Sequence, residues 1–224
     1  MKKKSMLRDT VKSHLLEKIQ HGQLHIGQTL NLAALSRALG ISVTPIREAL
    51  SQLEQARIIK AVPNRGFIVP ALSMQEAEHL YKTIAELEVM ALEASTFDAR
   101  SIAGLKSEQR VLLQTHTAVA RLESRIRFHH LLVARCPNSI LTQLLRDLEA
   151  RVLFYEQVFV QNGAFYEHID NQNEAIIQAI EEDNLPTAAL ILKMNWMSVF
   201  EYIQKQMLRE KELTYEELRP DMEQ

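Results

Sequence analysis

A mainly α fold in two parts is what this 224-residue sequence predicts. A compact segment of short helices closed by a two-stranded wing comes first, and an all-helical bundle follows. Three observations predict it. Apolar residues recur at helical spacing through most of the chain, while glycine and proline, six of each, and aromatics are scarce, so helices should dominate. The exception is residues 58–69, where short apolar runs at 58–62 and 67–69 flank the turn residues Pro63, Asn64, Arg65 and Gly66. The charge divides nearby. Residues 1–72 hold 11 Lys and Arg against 4 Asp and Glu, whereas residues 73–224 hold 15 against 24.

Taken in order, Met6 or Leu7, Val11, Leu15 and Ile19 form an i, i+4 stripe, which predicts a helix over 6–21. Leu32, Leu35 and Leu39 share the face of a second helix, ended by Gly40, which reaches left-handed angles without steric cost. Ile46, Ala49, Leu50 and Leu53 make the buried stripe of a third, with Thr44 as its N-cap and Pro45 at its first helical position. That leaves Val43, Thr44, Arg47, Ser51 and Glu54 toward solvent. Two short helices, a tight turn and a wing are the layout of a winged helix-turn-helix that reads DNA. A helical hairpin with a merely solvated polar face has the same spacing. The wing in its expected place and the net +7 of residues 1–72 favour DNA, because cations that neutralise phosphates release their counterions. Residues 1–72 are therefore read as the DNA-binding domain.

Pro70 closes the wing, and Ser73-Met74-Gln75-Glu76 is a capping-box pattern that opens a long helix. The bundle spans 73–215, with a tail at 216–224. Its helices are expected at 74–96, 99–116, 118–135, 138–161, 165–183 and 187–212, with breaks at Pro137-Asn138-Ser139 and Asn184-Leu185-Pro186. Leu141, Leu144, Leu145, Leu148 and Val152 read as core or dimer surface; Phe128, His130 and Trp196 read as packing residues. His14, His21, His25 and His79 are isolated and read as structural or surface groups. Glycine-rich phosphate loops, HExxH-type metal motifs and nucleophile elbows do not occur. Cys136 is the only cysteine, which excludes an intramolecular disulfide and suits a reducing cytoplasm. Lys2, Lys3 and Lys4 precede no apolar stretch of signal-peptide type, and no run is long enough to cross a bilayer.

The run from Gly40 to Leu50, with Thr44-Pro45-Ile46-Arg47-Glu48-Ala49-Leu50 at its centre, and Asn64-Arg65-Gly66-Phe67-Ile68-Val69 after it, resembles the reader of the GntR superfamily of bacterial transcription regulators. The likeness covers roughly residues 5–72. It implies that Ser42, Thr44 and Arg47 face phosphates and bases of the major groove, and that Asn64, Arg65 and Gly66 bring the wing tip to the minor groove. Arg47 is the best base-reading candidate, since a guanidinium can hold guanine through two hydrogen bonds. Arg37 and Val43 complete the DNA-binding set. Many relatives carry arginine at Val43 and some a basic residue near Ala33, so this reading face has fewer cations; Val43 suits a thymine methyl instead.

Residues 74–212 resemble the FCD effector domain, on helix order together with Phe128-His129 and the Ala179-Ile180, Asn184, Ala188 pattern. The resemblance implies a divalent metal held by an aspartate, a histidine four residues on, and two histidines from the last two helices. Here those positions correspond to Arg125, His129, Asn173 and Asn195, and a family arginine on the first helix aligns with Ile84. One strong ligand remains, so neither metal nor cofactor is expected. Arg125 and His129, at i and i+4, share a helix face. With Asn173 and Asn195 opposite, they form a candidate effector site for an anionic or polar small molecule. A satisfied polar cluster, or Arg125 turned to solvent, is the competing reading. The whole implies a cytoplasmic homodimeric regulator, not an enzyme and not membrane-bound, that represses from an inverted-repeat DNA operator and responds to an effector. Rivals are a ligand-independent architectural DNA binder and a helical-bundle enzyme that pairs His129 with Glu123, Asp170 or Glu174 as acid and base.

Overall fold

The computed structural model describes residues 2–20, 23, 24, 26–55, 57–63, 65–160 and 164–218. The chain packs as two compact units. The first joins Met1–Ser73 with Arg146–Gln157, and the second joins Met74–Leu145 with Val158–Gln224.

In the first unit, α1 (Lys2–Gln20) packs on α3 (Val43–Gln55), and α2 (Leu32–Leu39) also packs on α3. Val11, Leu15, Ile46, Ala49, Leu50 and Leu53 are fully buried, the stripes expected from their spacing. The side chains of Met6 and Ile19 lie outside the described residues. Leu32, Leu35 and Leu39 are only half-buried. Asn31 caps α2 by accepting from the backbone N–H groups of Ala33 (2.9 Å) and Ala34 (3.1 Å), and Gly40 ends it at φ +64°. Ser36 Oγ donates to Ile41 O at 2.8 Å and fixes the turn into α3. Because α3 starts at Val43, Thr44 lies inside its first turn instead of capping it. Pro45 remains among the N-terminal positions whose N–H has no intrahelical acceptor.

The wing is β2 (Lys60–Val62) and β3 (Gly66–Ile68), and β3 also pairs with β1 (Thr29–Leu30) in a sheet ordered β1-β3-β2. All pairs are antiparallel, with Thr29 opposite Ile68 and Ala61 opposite Phe67. Two-residue β1 left no alternation to read in the sequence. The first wing strand starts at Lys60, two residues later than expected. Ile58 and Ile59, both buried, instead complete the exit from α3: Ile58 N–H donates to Leu53 O at 2.9 Å while Arg57 takes a left-handed φ of +57°. Glu54 accepts from the Ala61 N–H at 2.8 Å and ties the wing to the helix. Gly66 is required twice over, by φ +87° and by the Leu30 carbonyl, which a Cβ would meet at 3.0 Å.

The second unit contains α4 (Met74–Glu93), α5 (Ala99–Gln114), α6 (Ala118–Val133), the ends of α7 (Ser139–Phe159), α8 (Ala164–Glu181) and α9 (Leu185–Leu218). Within it α9 packs on α4 and α8, and α5 on α6 and α8. Asp98, Thr117, Asn138 and Asn184 accept hydrogen bonds from the first-turn N–H groups of α5, α6, α7 and α9. Pro186 sits in the first turn of α9, which therefore starts two residues before the expected 187. That helix also continues to Leu218, past the start of the expected tail. Among the described residues no helix is long and apolar enough to cross a membrane.

The middle of α7 departs from the expected division at 72–73, because Arg146–Gln157 clusters with the first unit. Tyr155 carries one reason: its hydroxyl donates to Ser73 O at 2.9 Å and accepts from Ser73 N at 3.2 Å. The leucine stripe of α7 is divided as well. Leu141, Leu145 and Val152 are buried, but Leu144 is exposed beside Ile140.

Candidate functional site

The reader presents one polar row. On α3 the buried side is complete at Ile46, Ala49, Leu50 and Leu53, so Val43, Thr44 and Arg47 on the opposite side are exposed. Ser42 and Arg37 are exposed close by, on the turn and on α2. At the wing, Arg65 is exposed and its N–H closes the turn onto Val62 O at 3.1 Å, next to half-buried Gly66. Asn64, His21 and His25 lie outside the described residues. A guanidinium one turn in from the N-terminus of an exposed helix, with a cationic wing tip after it, is suited to bases and phosphates.

In the second unit, Arg125 is 1 % exposed, His129 6 %, and Asn173 and Asn195 are fully buried. Arg125 therefore does not point to solvent. Its Cζ lies 4.5 Å from the centroid of the Trp196 ring, and the His129 ring is 4.6 Å from the same indole. Glu88 on α4 is 3 % exposed and completes this group. It accepts from His129 Nδ1 at 2.8 Å and from Trp196 Nε1. Trp196, expected as packing alone, thus both packs and donates. Burial holds the His129 imidazole below its ordinary range, Arg125 adds to this and Glu88 opposes it. The ring is neutral with its proton on Nδ1, which leaves Nε2 as an acceptor, and that atom finds no partner among the described residues.

The two asparagines belong to a second string. Asn195 Nδ2 donates to Asn173 Oδ1 at 3.2 Å, Asn173 Nδ2 to Gln109 Oε1 at 3.3 Å, and Gln109 Nε2 to Asp170 O at 2.9 Å. Arg121 then binds the Asp170 carboxylate, donates to Leu112 O (3.0 Å) and Thr115 O (2.9 Å), and lies over Tyr166. Asn195 Oδ1 is another buried acceptor that finds no partner among the described residues. The strings meet in sequence on α9, at Asn195 and Trp196.

The expected partners of His129 need correcting. His129 pairs with Glu88, not with Glu123, Asp170 or Glu174; Asp170 is held by Arg121, and Glu174 is exposed. Glu88, Gln109 and Arg121 were not singled out from the sequence, and Asp170 was weighed only as an acid–base partner of His129. Glu88 had a signal, since it falls on the buried stripe of α4 with Tyr81, Ile84, Ala85 and Leu92, where an isolated carboxylate needs a partner. Among the described residues no group of three or more His, Cys, Asp or Glu is placed to hold a metal.

The fold and these sites define a winged-helix DNA-binding regulator with a helical second domain. Residues 7–69 match the bacterial regulatory proteins of the gntR family, and residues 79–195 match the FCD domain. The chain belongs to the gntR family and carries an FCD domain. It is 28% identical over 151 residues to an uncharacterized HTH-type transcriptional regulator, YdhC, of Bacillus subtilis, covering 63% of this chain and 66% of that one. It is 29% identical over 153 residues to the HTH-type transcriptional repressor GlaR of Escherichia coli, covering 61% and 67%. The chain spans just under two thirds of YdhC's length. Among solved structures, Escherichia coli McbR/YncC shares the fold at a TM-score of 0.77 and 21% identity, over 90% of this chain and 98% of that one. These relatives are regulators, which points away from enzymatic turnover.

Proposed function

We propose that the chain is a dimeric, operator-binding repressor whose helical domain responds to a polar small molecule. The exposed row of Val43, Thr44 and Arg47, opposite the buried stripe of α3, carries the DNA half of this reading. An inverted-repeat operator follows from a twofold dimer, which sets the spacing of its half-sites. Met90 on α4 and the i, i+4 pair Leu190 and Met194 on α9 are exposed apolar groups on two helices that pack together, a surface suited to a second copy. The sign of regulation rests on the name of one relative, a repressor.

DNA selected from a random pool by the purified chain supplies the operator. On it, Arg47→Ala should cost about 1–3 kcal/mol and relax preference at one base pair per half-site. Arg65→Ala should weaken binding evenly and reduce the salt slope. Wild-type affinity in both variants would show that the docking face is misassigned. Light scattering of the same preparation should give twice the chain mass, and a monomer at micromolar concentration would remove the dimer.

For the effector, support comes from two buried acceptors that find no partner among the described residues, His129 Nε2 and Asn195 Oδ1. They call for a ligand that donates hydrogen bonds, such as a hydroxyl or amide compound. Glu88 stands beside His129 and Trp196 and offsets the Arg125 charge, so the cluster does not require a net anion. The donor set does not fit a divalent metal: one imidazole and one amide oxygen face a buried guanidinium. In a thermal-shift panel of hydroxylated and carboxylated metabolites, a stabilising compound should lose its effect on His129→Leu while operator affinity without ligand stays unchanged. Stabilisation indifferent to His129→Leu would sink this assignment, and no stabilisation by any compound would favour the architectural reading.

A further inference from the structure

Four cations outside the reading row border one cleft in the first packing unit. Lys12 comes from α1, Arg57 from the exit of α3, and Arg146 and Arg151 from the middle of α7. The cleft measures about 650 Å³, and Ile58 and Leu153, both buried, give it an apolar side. That volume suits a metabolite better than a lone ion. Asp147 and Glu149 line the same space, so its charged groups sum to two positive.

The arrangement of the two central guanidiniums is the informative feature. Arg151 is half-buried, and burial followed by the nearby Arg57 charge pulls its proton affinity down. Arg57 itself occupies a left-handed backbone position that favours glycine. Like charges brought together on a partly buried surface raise the local positive potential and favour an added anion there. The place also matters. Arg57 follows the C-terminal end of α3, about 18 Å along the helix axis from Val43 at 1.5 Å per residue. The bases are read from the other end.

We propose that this cleft binds a phosphate-bearing small molecule through the Arg57 and Arg151 guanidiniums, with Lys12 and Arg146 adding to its positive field. Paired guanidinium forks match phosphate oxygens in geometry and keep their charge at any physiological pH. Bound there, the anion links α1, the exit of the recognition helix and the middle of α7. That last segment belongs to a helix whose two ends lie in the second unit. This site shares no residue with the Glu88, Arg125 and His129 cluster, so the two ligand assignments stand or fall separately.

Calorimetric titration of the full chain with inorganic pyrophosphate tests the proposal, against sodium chloride at matched ionic strength. Wild type should show saturable binding of one pyrophosphate per chain. Loss of one charge-assisted contact should weaken it about ten-fold or more in Arg57→Gln. Arg146→Gln, at an exposed position where misfolding is not at issue, should also weaken it. Operator affinity should be unchanged in both variants. No saturable binding by wild type, or equal binding by wild type and both variants, would overturn the proposal. A fall in operator affinity with either variant would overturn it as well and make these cations contacts to the DNA backbone.

Discussion

Arg121→Ala should destabilise the helical domain by about 3–5 kcal/mol, the range for removing one partner of a buried ion pair. Arg121 and Asp170 have side chains only 9% and 6% exposed. The guanidinium also donates to Leu112 O and Thr115 O at the C-terminal end of α5, where Leu112 O otherwise accepts from the Thr115 N–H at 3.1 Å. One side chain on α6 therefore ties the end of α5 to α8. Alanine would take the ion-pair partner from the Asp170 carboxylate and a donor from both carbonyls. Arg121→Lys should recover only part of the loss, because an ammonium cannot reproduce the fork that reaches all three acceptors. Replacing both partners, as Arg121→Met with Asp170→Leu, should cost less than Arg121→Ala alone. Urea denaturation followed by circular dichroism reads this through the transition midpoint, the safer quantity in a chain of two packing units. A midpoint in Arg121→Ala within error of wild type would show that the pair contributes nothing.

The reader was legible because its elements announce themselves locally. Leu53, Leu50, Ala49 and Ile46 can be buried together only on a helix, Gly40 marks the turn, and Gly66 marks the tight approach to Leu30. Strand β1 was not, since two residues carry no period. The membership of Arg146–Gln157 in the first unit was also hidden, because the stripe of α7 is continuous and does not say which neighbours bury it. The buried cluster shows the same limit. Arg125 and His129 share a helix face by spacing alone, and both are buried. Their electrostatic partner, Glu88, lies 41 positions from His129. Spacing along one helix cannot find it, although a glutamate inside an apolar stripe marks where to look.

Glu88→Ala tests that cluster most severely. The carboxylate is 3 % exposed and accepts from both His129 Nδ1 and Trp196 Nε1. Its removal leaves two buried N–H donors unmet and takes away the negative charge near Arg125, which should cost about 3–5 kcal/mol. Glu88→Gln keeps one acceptor oxygen and should lose less. The pH dependence has a definite sign. His129 is held neutral in the fold below its ordinary value of 6.5, whereas the unfolded chain takes up its proton near that value. Over the interval below 6.5 the unfolded state binds more protons, so wild-type stability falls as pH drops. Removing Glu88 deletes the influence that raises the His129 proton affinity, so in Glu88→Gln the fall should continue to lower pH before levelling. Urea midpoints between pH 8 and pH 5 for wild type, Glu88→Gln and His129→Leu measure this, and His129→Leu should flatten the slope. A slope unchanged by His129→Leu would show that another group titrates there, and a wild-type midpoint in Glu88→Ala would mean that the carboxylate is not what holds the cluster together.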